Sequence, residues 1–133
     1  MNTDGNKAQG ITYPDGRMQR RLAQETFEEA RLRPQDVVYV EAHGTGTKVG
    51  DPEEVNAIAD LFCKDRKTPL LLGSVKSNMG HSEPASGLCS IAKVVVAMEH
   101  GVIPGNLHFK SPNTDIPAFL TICCPNKLLI FPK

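Results

Sequence analysis

The chain lacks several features on which common functions depend. It has no Trp and only 5% aromatic residues, so it offers few rings on which bases could stack. Its 15 basic and 15 acidic residues give a formal net charge of zero, whereas nucleic-acid and anionic-membrane binders need a clustered basic surplus. No apolar run approaches a membrane span, and there is no signal-peptide pattern. We therefore expect no nucleic-acid or membrane partner and a cytoplasmic location.

The cysteines lack the spacing of a metal or disulfide module. None of them forms a C-x-x-C pair, and no zinc pattern is present. We therefore expect no metal site. In a reducing cytosol, Cys63 and Cys89 are most simply small buried apolar residues. The four cysteines are Cys63, Cys89, Cys123 and Cys124.

Apolar spacing predicts alternating helices and strands in a single α/β domain. The predicted elements are a helix over about 17–31, a strand over 37–40, a helix capped by Asp51, a strand over 70–72, and a helix over 85–99 that stops near Gly101. A strand, a helix and a strand of this length form a βαβ unit with parallel strands. The helix over 85–99 has little polar face, so we expect it to be buried.

Two histidines stand in motifs rich in small and polar residues. His43 lies within the segment 41–52, and His81 lies within the segment 76–87, which begins with Lys76. Each follows a short apolar run, so both are predicted at the carboxyl ends of strands, where open α/β sheets bind ligands. A neutral imidazole can donate a hydrogen bond to a carbonyl oxygen that gains negative charge. The pattern therefore suggests chemistry on a carbonyl.

Five segments resemble, in order, the ketosynthase (β-ketoacyl synthase) domain of the thiolase superfamily, and most closely that of animal-type fatty acid synthase. They are residues 2–5, 10–14, 43–52, 76–87 and 104–109. The resemblance implies that 1–119 is the later half of such a domain, and we read 120–133 as a divergent tail outside it. It also implies a partial thiolase-like α/β fold, with βαβ units, a parallel-dominated sheet and a buried helix.

The resemblance implies roles for the residues around the histidines. His43 and His81 would be catalytic, binding the malonyl thioester carbonyl and promoting decarboxylation. Lys76 would be a third catalytic residue that orients the site, and Glu83 a supporting counter-charge. The alternative for Lys76 is a solvated loop lysine.

Two threonines in the first motif are expected to contact the substrate carrier. Thr45 and Thr47 would bind the phosphopantetheine arm, because hydroxyls can bond its amides. Their alternative is a local role as caps or turn formers. The glycines around them do not have the spacing of a dinucleotide or nucleotide phosphate loop.

The implied reaction is the decarboxylative Claisen condensation of a malonyl unit on acyl carrier protein with an acyl thioester, in fatty acid biosynthesis. The segment itself would bind no cofactor, because the substrate travels on the carrier's phosphopantetheine. The family's nucleophilic cysteine would lie upstream of Asn2, so we expect the chain alone to be inactive. It would need the remainder of the ketosynthase domain, in a homodimer. The alternatives are an iterative polyketide synthase ketosynthase and a non-catalytic truncated product.

Overall fold

The computed structural model describes residues 10, 12–120, 122–123 and 129–130, with side chains up to residue 118. The predicted segment 2–5, Ile11 and Cys124 therefore lie outside the described residues. The helices are α1 (Gly16–Glu29), α2 (Gly50–Ile58), α3 (Lys76–Met79) and α4 (Ser86–His100). The strands are β1 (Tyr39–Glu41), β2 (Leu70–Gly73), β3 (Val102–Ile103), β4 (Ile122–Cys123) and β5 (Leu129–Ile130).

The described strands form a small parallel sheet and a separate two-stranded ribbon. The sheet has the order β1-β2-β4, and Glu41 lies opposite Gly73 where the first two strands end. The ribbon pairs β3 with β5 in antiparallel fashion. The predicted parallel α/β arrangement is confirmed. Strands β4 and β5 come from the segment 120–133, whose assignment as a divergent tail stays a prediction.

The buried core lies between this sheet and the helices α1 and α2. Leu70 of β2 is fully buried, and the buried side chains of α2 and of the π turn after it (Ala59–Cys63) surround it. The Phe27 ring of α1 meets Phe62 edge-on, at 5.3 Å between centroids. These contacts explain the apolar spacing that predicted α1 and α2, because one face of each helix faces the core.

The predicted cap of α2 is wrong. Asp51 lies inside the first turn, and the side chain that accepts the Gly50 N–H at 3.0 Å is the hydroxyl of Thr47. The Asp51 carboxylate instead accepts the N–H of Gly46 at 3.0 Å. The sequence Asp-Pro is a common helix start, but here the carboxylate holds the preceding loop.

Helix α4 differs from the expectation that it would be buried. Ala97 is its one buried residue, while apolar side chains along it are exposed by 53% (Val96) to 72% (Leu88). Among the described residues α4 packs mainly on β3 and on the turn before it. A helix that is apolar on most sides is normally buried on most sides. The described residues pack against only one side of α4. None of the described helices is long and apolar enough to span a bilayer.

The exposed face of α4 leads to a stability prediction. We expect Leu88→Lys and Met98→Lys to change the free energy of unfolding by no more than about 0.5 kcal/mol and to lower the binding of an apolar-surface dye. Leu70→Ala is the control, because truncating a fully buried leucine costs about 2–5 kcal/mol. Urea unfolding measures all three. A loss from Leu88→Lys as large as that from Leu70→Ala would contradict the exposure of this face.

Candidate active site

The structure brings His43 and His81 into direct contact. Their ring centroids are 5.3 Å apart and the rings are nearly perpendicular, at 87°. His43 follows the end of β1 by two residues, and His81 follows the end of α3 by two. The parallel pairing of β1 with β2 places both segments at one edge of the sheet. The two motifs therefore form one site.

The backbone of His43 is held by two neighbouring segments. The Glu54 carboxylate, from α2, accepts the N–H of His43 at 2.6 Å and the N–H of Gly44 at 2.9 Å. The Ser74 hydroxyl donates to the His43 carbonyl at 3.2 Å. Gly44 has φ +51°, and a Cβ there would lie 2.8 Å from the Ser74 Cβ. Only glycine fits this close approach, so the loop is fixed on both sides of the histidine.

The two threonines lie beside His43 at a large cavity. Their hydroxyl oxygens are 3.4 Å apart, and both residues and His43 line a cavity of about 980 Å³ between α1 and α2. The Thr47 hydroxyl also accepts the Gly50 N–H, so the capping alternative describes what Thr47 does in this structure. The Thr45 hydroxyl caps no helix among the described residues. Pantetheine binding by either threonine stays a prediction.

The orientation of His81 is set by the turn around it. Gly80 has φ +78°, and Glu83 has φ +46°, a conformation that is uncommon for a residue with a side chain. This turn directs the Glu83 N–H to the Nδ1 atom of His81 at 2.9 Å. Because Nδ1 accepts that bond, the neutral ring carries its proton on Nε2. The Glu83 carboxylate is exposed and forms no ion pair within residues 12–118, so its predicted role as a counter-charge is not visible here.

Lys76 is buried, which excludes the alternative of a solvated loop lysine. The residue is 9% exposed, and its Nζ has no hydrogen-bond partner among the described residues. A buried ammonium without a partner is costly. Burial lowers the pKa of His43 most, and the charges of Lys76 and His81 lower it further, whereas Glu54 and Asp51 raise it. The site therefore favours the neutral form of His43.

A buried polar cluster formed by Tyr39, Glu41 and Lys93 was not predicted from the sequence. The Lys93 ammonium donates to Glu41 Oε2 at 2.7 Å and to the Tyr39 oxygen at 2.9 Å, and the Tyr39 hydroxyl donates to Glu41. Burial and the Glu41 charge raise the pKa of Tyr39 far above its usual range. The signals were a glutamate ending an apolar strand and a lysine inside an otherwise apolar helical run. Both are unusual positions for charges.

Asn106 is a second residue that the sequence left without a role, although it lies in a segment of the resemblance. Its side chain accepts the Ser74 N–H at 3.2 Å and donates to the Leu72 carbonyl at 2.9 Å. Through these two bonds the Asn106 side chain takes the place of a neighbouring strand at the end of β2. They hold Ser74, which in turn holds the His43 carbonyl.

The side chains of two cysteines lie within the described residues. Cys63 and Cys89 are partly buried, and the Ser82 hydroxyl lies 3.4 Å from Cys89 Sγ. Within the part of the chain that the structure describes, no group of three or more His, Cys, Asp or Glu side chains could hold a metal ion.

Comparisons with known proteins show the family of this chain. Residues 1–110 match the family described as "Beta-ketoacyl synthase, C-terminal domain". The chain is similar to the fatty acid synthase of the goose Anser anser anser, with 61% identity over 101 residues, which is 76% of this chain and 29% of that protein. It is also similar to a hybrid PKS-NRPS synthetase of Aspergillus terreus, with 48% identity over 116 residues, which is 87% of this chain and 17% of that protein.

Solved structures give the same result. The fold is similar to ketosynthase twelve of the bacillaene polyketide synthase of Bacillus amyloliquefaciens, with a TM-score of 0.92 and 31% identity over 99% of this chain and 24% of that one. The fold is thus that of part of a thiolase-like ketosynthase domain. This chain belongs to the β-ketoacyl synthase C-terminal domain family. It spans less than a third of the length of these relatives.

The charges around His43 predict opposite effects of two substitutions. We expect the His43 pKa to lie below the ordinary value of 6.5, to rise in Lys76→Gln and to fall further in Glu54→Gln. The first change removes a positive charge and the second a negative one. Titration of labelled histidines by NMR measures both, with exposed His100 as the internal control. Shifts of the same sign in both variants would contradict this account.

Proposed function

We propose that this chain supplies the two-histidine part of a ketosynthase active site. Its reaction is the decarboxylative condensation of malonyl-acyl carrier protein with an acyl thioester, in fatty acid biosynthesis. The observation that carries the proposal is the edge-on contact of His43 with His81 beside the buried ammonium of Lys76, which has no hydrogen-bond partner among the described residues. Membership of the ketosynthase family and the likeness to goose fatty acid synthase support it.

The two rings would act as hydrogen-bond donors to one thioester carbonyl. The neutral His81 ring carries its proton on Nε2, because Nδ1 accepts the Glu83 N–H. As the carbon–carbon bond to the malonyl carboxylate breaks, its electron pair moves into the thioester and carbon dioxide leaves. The carbonyl oxygen then gains negative charge, which two placed donors stabilise in the transition state. The resulting enolate attacks the acyl thioester, and the thiolate leaves.

Lys76 would favour this chemistry through its charge. Burial lowers the pKa of His43 most and the Lys76 charge lowers it further, and both effects favour a neutral hydrogen-bond donor at this position. A protonated His43 would be a stronger acid than the neutral ring and could transfer a proton to the enolate. Lys76 would therefore orient and tune the pair.

The carrier would approach along the cavity beside α1. Thr45 and Thr47 lie at this cavity with His43, so their hydroxyls could bond the amides of the phosphopantetheine arm. Acyl carrier protein, the remainder of the ketosynthase domain and a second copy in a homodimer are the partners in this proposal. The segment itself would bind no cofactor, and its place of action would be the cytoplasm.

A polyketide synthase ketosynthase is the second candidate. It is favoured by the solved structures, since those most like this chain include polyketide synthase ketosynthases. The identity to goose fatty acid synthase, 61% against 48% for the Aspergillus terreus synthetase, favours fatty acid synthesis. Both candidates use the same histidine chemistry and differ in the product that leaves.

We expect the purified 133-residue chain to have no condensing activity. Covalent catalysis needs an acyl-thioester on a cysteine, and neither Cys63 nor Cys89 lies in the family's nucleophile motif. Incubation with a radiolabelled acyl thioester should leave no label bound to the protein through a thioester. Label that appears on the chain and disappears in Cys89→Ala would overturn this expectation.

The roles of the histidines can be tested in goose fatty acid synthase whose 101 matched residues are replaced by those of this chain. We expect His43→Ala and His81→Ala each to remove about 2.7–4 kcal/mol of transition-state stabilisation from decarboxylation, the scale of an oxyanion-hole donor. Acyl loading should remain, because it depends on the cysteine and its own donors. Lys76→Ala should have a smaller, indirect effect.

The measurement separates acyl-enzyme formation from release of carbon dioxide. His100→Ala is the matched control, because His100 is exposed at the far end of α4 and its Nδ1 atom bonds the Val96 carbonyl of its own helix. Normal release of carbon dioxide by both histidine variants would show that the assignment of His43 and His81 is wrong.

A further inference from the structure

The Glu41 carboxylate connects three parts of the fold with its two oxygens. Oε1 accepts the backbone N–H of Val75 at 2.5 Å, just beyond β2. Oε2 accepts from Lys93 of α4 at 2.7 Å and from Tyr39 of its own strand. The side chains of Glu41 and Lys93 are only 6% and 11% exposed. This carboxylate is therefore a buried junction of β1, the segment after β2, and α4.

The residues of this junction lie next to both histidine segments in the chain. Glu41 is two residues before His43, and Val75 is the residue before Lys76, at the start of the segment that carries His81. A bond from Glu41 to Val75 thus joins the two histidine segments directly. Gly73 leaves room for it, because a Cβ there would lie 2.5 Å from the Tyr39 oxygen and 3.3 Å from Lys93 Nζ.

Stability alone does not explain a buried ion pair at this point. Desolvating two charges is costly, and well-packed apolar side chains of similar volume are often as stabilising or more so. The acceptor for the Val75 N–H is the part of the junction that apolar side chains could not replace. A carboxylate that accepts this N–H needs a buried cation to balance its charge, and Lys93 provides one.

We propose that Glu41 is a positioning residue that holds the His43 and His81 segments in contact through the Val75 N–H, with Lys93 as its counter-ion. The proposal rests on the proposed function, since it assigns the purpose of the histidine contact. Neither residue touches the reacting atoms. The mechanical link runs from the Glu41 carboxylate to Val75, then through α3 to Gly80 and His81.

Two double variants of the 133-residue chain separate positioning from stability. E41Q/K93M and E41M/K93M both remove the ion pair, but only the glutamine keeps an oxygen that can accept the Val75 N–H. The readout is the NMR cross-peak between the ring protons of His43 and His81, with urea unfolding measured in parallel. R21M/E25M, which removes an exposed ion pair of α1, is the control and should keep the cross-peak.

We expect E41Q/K93M to keep the ring cross-peak and E41M/K93M to lose it while remaining folded. If E41M/K93M does not fold, Val75→Pro decides the question. It removes the same N–H at a residue whose φ of −59° suits proline, and Val75→Ala is its control. Loss of the cross-peak in Val75→Pro but not in Val75→Ala supports the proposal.

The proposal is overturned if both double variants keep the cross-peak, if both lose it, or if Val75→Pro keeps it. These outcomes are independent of the histidine chemistry, because they report the geometry of the rings and not their activity. Normal release of carbon dioxide in the histidine variants would instead overturn the proposed function. The two failures are therefore distinguishable.

Discussion

The parallel register of β1 and β2 brings together the two segments that carry the site. With Glu41 opposite Gly73, both strands end at the same edge, and the segments that leave them carry His43 and Lys76. Parallel strands cannot be joined by a tight turn, so α2 must cross between them. This crossover brings Glu54 to the His43 and Gly44 amides. The register of these two strands thus positions both the His43 loop and the Glu54 carboxylate that holds it.

Several carboxylates near the site accept hydrogen bonds from backbone N–H groups. Glu54 accepts two amide hydrogens, Asp51 accepts one, and Glu41 accepts another. Loops with positive φ at glycines leave amides that no strand or helix bonds, so these amides need other partners. Carboxylates from nearby elements provide them with strong, charge-assisted bonds. The many acidic residues around the first motif follow from the shape of its loop.

Much of this could be predicted from the sequence, and the failures have physical causes. The apolar spacing located α1, α2, α4 and the two parallel strands, and the two motifs gave the histidines that meet. The cap of α2 was predicted at Asp51, because local patterns do not show that Gly46 competes for its carboxylate. Glu41 and Lys93 had no predicted role, because they are 52 residues apart in the chain. Burial of α4 was overestimated, since a pattern shows which faces are apolar and not what covers them.

The uncovered side of α4 also bears on how the chain behaves at high concentration. Its formal net charge is zero and its calculated isoelectric point is about 6.9, so near neutral pH little electrostatic repulsion keeps two copies apart. Apolar side chains such as Leu88 and Met98 can then meet those of another copy. We expect the solubility minimum to fall close to neutral pH. Buffers well above or well below that pH would give the protein a net charge and keep it soluble.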